Sequence, residues 1–394
     1  MPSTAASPCP ALEEEPRALA VLELTLRAFR SYREARLTVD RSPVVLTGPN
    51  GSGKTNLLEA ISLLAPGRGL RRAGGGDLQC RTSAEPWAVA AHVETSAGIV
   101  ALGTGRDPEG SPTGRRVLRV DGRPVSSQQA LGEHVAVAWI TPTMDRLLAE
   151  GPGARRKLLD RLAASFDPAH GGRVQRYERA LRERLRLLRD GVADTTWLGA
   201  LENDLAQTGV AIAAARRHLV RQLQAVMPET TSAFPQAELA LEGLAEEALD
   251  RTPALVVEDH FREALASARR EDAAQGLSSI GPHRSDLRVT HPVHACLAAH
   301  CSTGEQKALL VAIVLAYTRV VTRTRGLAPL VLLDDIAAHL DSLRRAALFE
   351  ELTSLGVQAW LTGTDPEVFA PFVAAGAQPW TVDSRGLMAD TLYR

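Results

Sequence analysis

Gly48-Pro49-Asn50-Gly51-Ser52-Gly53-Lys54-Thr55 matches the pattern G-x-x-x-x-G-K-[ST] at every fixed position. The four residues before it, Val44 to Thr47, form the short apolar run expected of a strand buried on both faces. After it, Leu57, Leu58, Ile61 and Leu64 share one side of a predicted helix over Asn56–Leu64. Strand, glycine-rich turn and helix in that order wrap backbone N–H groups and a helix N-terminus around phosphate oxygens. Lys54 supplies a point charge for the β- and γ-phosphates, and the Thr55 hydroxyl is placed to coordinate Mg2+. The expectation is a nucleoside-triphosphate site in an α/β fold.

The lysine stands out against the composition. Of 45 basic residues in the 394-residue chain only Lys54, Lys157 and Lys307 are lysines, and arginine does not replace lysine where a compact charge is needed. The formal net charge is −1, so any nucleic-acid contact must be local. Hydrophobic residues at 45% and charged residues at 23% fit a folded chain rather than a disordered one. The length suggests two to three domains. No apolar run reaches the roughly 18 residues of a membrane span; Val311–Val321 is broken by Thr318 and Arg319. Glu13 to Glu15 stand where a signal peptide needs positive charge. Cys9, Cys80, Cys296 and Cys301 form no CxxC pair. A cytoplasmic protein without a membrane partner is expected.

Further along, Val331-Leu332-Leu333-Asp334-Asp335 is an apolar strand ending in two carboxylates. Asp334 can reach Mg2+ directly or through water, and Asp335 can polarise an attacking water as the catalytic base. Upstream, Cys301 to Gln306 opens a helix, and Ser302 with its bare N–H groups forms an anion site there. Ala338-His339-Leu340-Asp341 follows the paired acids. Residues 1–19 read as a disordered tail, 20–145 and 285–394 as a discontinuous ATP-binding head with a mixed sheet, and 146–284 as a mostly helical lobe. Helical periodicity runs through 154–190 and 197–227, then about 256–270 and Gly304–Arg323.

The order phosphate loop, S-x-G, paired acids and terminal aspartate resembles the ATP-binding-cassette ATPases. By that resemblance Ser302, Gly304 and Glu305 take the signature positions and Asp341 the D-loop position, with Thr303 where a glycine is usual. Such a signature caps the γ-phosphate held by a second subunit. About 250 residues separate Lys54 from Ser302, too many for a compact transporter cassette and too few for a long-armed chromosome-structure ATPase.

From Leu22 to Thr362 the wording is similar to the RecF family of bacterial recombination mediators. Leu24–Arg33, Gly48–Ala60, Gly67–Arg71, Gly151–Arg161, Gly281–Leu287 and Leu332–Asp341 carry the likeness. It implies an ABC-type head that binds ATP and Mg2+, a homodimer formed on ATP, single- and double-stranded DNA at gaps, and weak ATP hydrolysis. It implies RecR with RecO as partners and, indirectly, loading of RecA. Departures from the cassette pattern are Asp335 where glutamate is common, Thr362 and Thr364 where a switch histidine is absent, and Thr143 at the lid position.

Other readings stay open: a transport or nuclease ATPase, and a regulatory ATPase that binds protein without clamping DNA. Arg155 to Arg189 is rich in arginine and weakly favours DNA, although such runs are also ordinary solvated faces. Aromatics are only 4%, so phosphate contacts suit DNA better than base stacking.

Overall fold

The computed structural model describes residues 17–107, 116–191, 194–229, 233–337, 340–383 and 386–389. Eleven α-helices occur among them: α1 (Lys54–Ser62), α2 (Gln129–His134), α3 (Pro152–Ala163), α4 (His170–Arg189), α5 (Thr195–Val226), α6 (Leu244–Ala248), α7 (Ala254–Ser267), α8 (Arg269–Gln275), α9 (Thr303–Arg325), α10 (Ser342–Ser354) and α11 (Ala370–Ala374).

The expected mixed sheet is present, and a second, antiparallel six-stranded sheet accompanies it. In the antiparallel sheet, Tyr32–Thr38, Ala20–Phe29, Ala88–Thr95, Gly98–Arg106, Arg116–Val120 and Arg123–Val125 pair in that order. Its alternating burial reflects one face on the core and one toward solvent. The mixed sheet runs Gly386–Ala389, Gln378–Asp383, Val44–Thr47, Ala359–Gly363, Leu330–Leu333, Val137–Ile140. All its pairings are parallel except the first. Val44–Thr47, Leu330–Leu333, Ala359–Gly363 and Val137–Ile140 are buried throughout, as strands covered on both faces must be. This order sets the strand before the phosphate loop two places from the strand bearing the paired acids. Ala359–Gly363 lies between them, and ligands of parallel sheets gather at such carboxyl ends.

Helix α9 runs through the main core, buried without a break from Gln306 to Thr318. Lys307, buried inside it, pairs with Asp145 at 2.9 Å. A smaller core lies among α4, α5 and α7, around Tyr177, Leu205, Val210 and Phe261. The far end of α5 instead joins the main core through Leu219, Leu223 and Val226. Glu238–Glu242, in the segment read as helical, pairs with Asp286–His291 in a three-stranded sheet.

Three expectations change. The helical run 154–190 is two helices, because Pro168 lacks an N–H and the chain turns through Asp167, whose carboxylate accepts the Ala169 N–H at 3.1 Å. Of the segment 1–19, residues 1–16 lie outside the described residues, whereas Arg17–Ala18 pairs in parallel with Leu327–Ala328. Most of the arginine run faces inward or is paired rather than forming an open basic face. Arg184 is fully buried, with Nε 3.0 Å from Glu202 Oε1, Nη1 2.6 Å from Asp272 Oδ2 and Nη2 2.7 Å from the Leu265 carbonyl. Arg155 grips Asp286 with two bonds of 2.7 Å, and Arg161 lies 4.2 Å over the Trp139 ring.

Removing the Arg184 guanidinium leaves the buried Asp272 charge with only the neutral donors of Ser278 and Ser279, while Glu202 keeps Arg269. Arg184→Met is therefore expected to cost about 3–5 kcal/mol in urea unfolding. A loss below about 1 kcal/mol, the range of an exposed pair, would show that the cluster does not hold the smaller core.

Candidate nucleotide site

The phosphate loop forms because two of its positions admit no side chain. A Cβ on Gly48 would sit 2.0 Å from the Val382 carbonyl oxygen, and one on Gly53 2.6 Å from Tyr32 Oη. Gly53, at φ 111°, starts α1, and no side chain caps the first turn. Pro49, Asn50 and Gly51 form the exposed crest. Lys54 is buried and folds back, its Nζ donating to the Gly48 and Pro49 carbonyls at 2.6 and 2.9 Å. Burial lowers its pKa, while Asp335 and Asp334 pull it up. Ser52 Oγ is buried and has no hydrogen-bond partner among the described residues.

The two halves of the sequence meet at one oxygen. Thr55 Oγ1 donates to Asp334 Oδ1 at 2.8 Å across 279 residues. Thr362 Oγ1 donates to the same oxygen at 2.8 Å and accepts the Asp335 N–H at 2.8 Å. Burial raises the Asp334 pKa, and the bonds from Thr362 and Thr55 pull it down. Asp335 stands in the left-handed region at φ 52°, with Oδ1 buried and unpartnered among the described residues. Thr362, on the strand Ala359–Gly363, thus fixes both aspartates. Its signal was topological, because its strand lies between the two motif strands.

The remaining sequence candidates lie elsewhere. Ser302 caps α9, its Oγ accepting the Glu305 N–H while Glu305 Oε2 accepts the Ser302 N–H at 2.8 Å. Those bonds hold the Glu305 pKa below the usual carboxylate range. Gly304 is exposed, with open space where a Cβ would be. Asp341 caps α10 through the Arg344 N–H at 2.8 Å; Ala338 and His339 lie outside the described residues. Among the described residues no hydrogen bond or ion pair joins Ser302, Gly304, Glu305 or Asp341 to the phosphate loop.

Beside α1 is a cavity of about 720 Å3 lined by Arg30, Ser31, Asn56, Arg71, Asp77 and Thr82. Glu59, buried beneath it, takes two bonds from Arg30 at 2.8 and 2.7 Å, and Arg71 reaches Asn56 Oδ1 at 2.8 Å. Sequence reasoning singled out Arg71 but missed Glu59 as its anchor. Thr143 hydrogen-bonds Thr141 at 2.8 Å and lines a second cavity with Arg72 and Lys157.

Gly281–Leu287 is a keystone and holds no part of the nucleotide site. The Pro282 carbonyl accepts from Arg216 Nη1 at 2.6 Å, His283 bonds Tyr177 Oη at 2.7 Å, and Asp286 takes Arg155. It locks α3, α4 and α5 to the sheet.

The family described as RecF/RecN/SMC N terminal domain matches residues 20–371. A relative from Mesorhizobium japonicum, named DNA replication and repair protein RecF, is 49% identical over 92% of this chain and 96% of its own. The chain belongs to the RecF family. Another RecF, from Rhizobium rhizogenes, is 45% identical over 94% of this chain and 99% of its own. Among solved structures, the recombination mediator protein RecF with ATPγS, described as part of the RecFOR pathway, superposes with a TM-score of 0.81 at 22% identity, covering 93% of this chain and 96% of that one. An Smc head bound to a ScpA domain gives 0.53 at 17% identity over 94% and 98%. The head fold is thus shared between the RecF family and Smc heads. Among the described residues no helix is long and apolar enough to cross a membrane.

Proposed function

We propose that this protein is an ATP-dependent, DNA-binding recombination mediator of the RecF type. The observation that carries the reading is the convergence of Thr55, Asp334, Thr362 and Asp335 at the mouth of the phosphate loop. The buried, unpartnered Ser52 Oγ and Asp335 Oδ1 fit a triphosphate with its cation. Backbone N–H groups of the loop and Lys54 would hold the phosphates, Thr55 Oγ1 and Asp334 would hold Mg2+, and Asp335 would orient water. Mg2+, when bound, neutralises phosphate charge. The cavity beside Asn56 and Arg71 has room for the nucleoside. Slow hydrolysis follows from the short reach of Asp335.

Ser302 and Gly304 stand outward on their own helix, so a second subunit's γ-phosphate is the ligand that suits them. ATP would then join two heads in a homodimer. Arg68 and Arg72 are exposed and without ion-pair partners among the described residues; doubled in a dimer, they would add phosphate contacts and steepen the salt dependence of DNA binding. The polynucleotide would be single- or double-stranded DNA at gaps, and RecR with RecO, then RecA, the partners in cytoplasmic repair.

The inward use of Arg155, Arg161 and Arg184 favours a second reading, a regulatory ATPase that binds protein without clamping DNA. One experiment separates the two. Gapped-DNA titration with light scattering, at two salt concentrations, is expected to show dimerisation and tight binding only with ATP. Ser302→Arg should keep ATP binding and lose both. Equal DNA binding by the parent without nucleotide, or an ATP-formed dimer in Ser302→Arg, would overturn the clamp.

A further inference from the structure

The end of the strand Asp286–His291, the turn after it and the first turn of α9 bring two imidazoles and a carboxylate together. One donor atom each of His291, His294 and Glu305 lies within 4.8 Å of the others. His294 Nε2 is 2.9 Å from Glu305 Oε1, and the two imidazole rings face each other at 4.5 Å and 30°. The turn that aims them includes Ala295 at φ 47°, a left-handed conformation that a β-carbon disfavours.

An ordinary histidine–carboxylate pair explains only part of this. It needs one imidazole, yet a second, largely buried one is stacked on the first. Glu305 also divides its oxygens. Oε2 serves the capping box, accepting from the Ser302 N–H and hydroxyl at 2.8 Å each, while Oε1 turns toward His294. The cap therefore survives if Oε1 takes a different partner.

Two imidazole nitrogens and one carboxylate oxygen are a borderline donor set that suits Zn2+, Co2+ or Ni2+ and not the oxygen-seeking Mg2+. Tetrahedral bonds of about 2.0–2.1 Å place donors about 3.4 Å apart. Rotation of the exposed His294 ring closes the remaining gap. Arg344 lies near enough to His291 for their charges to interact, and Asp341 at 3.7 Å offsets it.

We propose that His291, His294 and Glu305 bind one divalent transition-metal ion of the Zn2+ class. A fourth position remains for water. The ion would tie the turn 292–295 to the start of α9, three residues from Ser302. This site is separate from the phosphate loop and its Mg2+ candidates. Cys296 and Cys301, with sulfurs 3.6 Å apart, lie close by and are the competing ligands.

The test uses the full chain, freed of metal by chelation, without nucleotide and in excess Mg2+, so it is independent of the ATP reading. Titrated Co2+ should give visible d–d absorption saturating at one equivalent, bleached by one equivalent of Zn2+. His294→Ala and His291→Gln should each weaken Co2+ binding by about 100-fold or more, beyond what loss of an outer-shell partner typically costs. His294 is exposed, so its variant should melt like the parent when both are metal-free. No saturable Co2+ or Zn2+ binding, or parent-like binding by His294→Ala, overturns the site. A strong sulfur-to-cobalt charge-transfer band would also overturn it, by moving the metal to Cys296 and Cys301.

Discussion

Asp335→Asn is expected to bind ATP normally, accumulate as the ATP-joined dimer and hydrolyse ATP about 10²–10⁴-fold more slowly than the parent, the range for loss of a general base. The backbone argues that this variant is a clean one. Asp335 is held at φ 52°, a conformation asparagine adopts more readily than most residues. Its position is set by the amide, which donates to Thr362 Oγ1, and the side chain plays no part in that bond. Asparagine keeps the amide bond and removes a charge whose Oδ1 is buried without a partner among the described residues. The variant should therefore melt no lower than the parent. Alanine is the poorer test, because it would strain the same turn. Steady-state turnover and size-exclusion chromatography with ATP check both halves. Undiminished turnover would move the base to another residue, and a destabilised fold would contradict the strain argument.

What was legible in the sequence follows from the reach of each signal. The phosphate loop declares itself because steric and hydrogen-bond demands fall on eight consecutive residues. Val331–Asp335 reads the same way. That Thr55 and Asp334 share a hydrogen bond across 279 residues agrees with the sequence reading that assigned both motifs to one cation. Thr362 has no motif of its own. It acts because the parallel sheet inserts Ala359–Gly363 between the other two strands, and strand order is not a local property. Val137–Ile140 escaped for a related reason: four buried apolar residues have no period by which strand differs from helix. The arginine run misled because its partners are remote. Arg184 meets Asp272 across 88 residues and Arg155 meets Asp286 across 131, so a charge census sees a basic face where the fold builds internal pairs. Pro168, by contrast, was a readable helix break inside a persuasive periodicity.

Lys54→Met is expected to lower ATP affinity by at least about 100-fold, the loss of two charge-assisted hydrogen bonds at about 1.5 kcal/mol or more each. Lys54 is buried, and its bonds to the Gly48 and Pro49 carbonyls hold the loop closed on itself. Those same donors are the ones a triphosphate would recruit. Methionine fills nearly the same volume and removes a buried ammonium, so the core around α1 should not collapse. The loop carbonyls lose a partner, but Gly48 lies partly open to water. The two neighbouring carboxylates also lose their nearest lysine. Because burial raises the Asp334 pKa, the folded chain holds that proton more tightly than the unfolded one, and the contribution of Asp334 to stability falls as pH rises through the carboxylate range. Without Lys54 that fall should steepen, since the charge favouring ionised Asp334 is gone. Nucleotide titration followed by calorimetry, with thermal melts at acidic and neutral pH, measures both effects. A folded variant with parent affinity for ATP would remove Lys54 from the phosphate site. A parent–variant difference in melting that is the same at both pH values would show that Lys54 does not bear on the ionisation of Asp334.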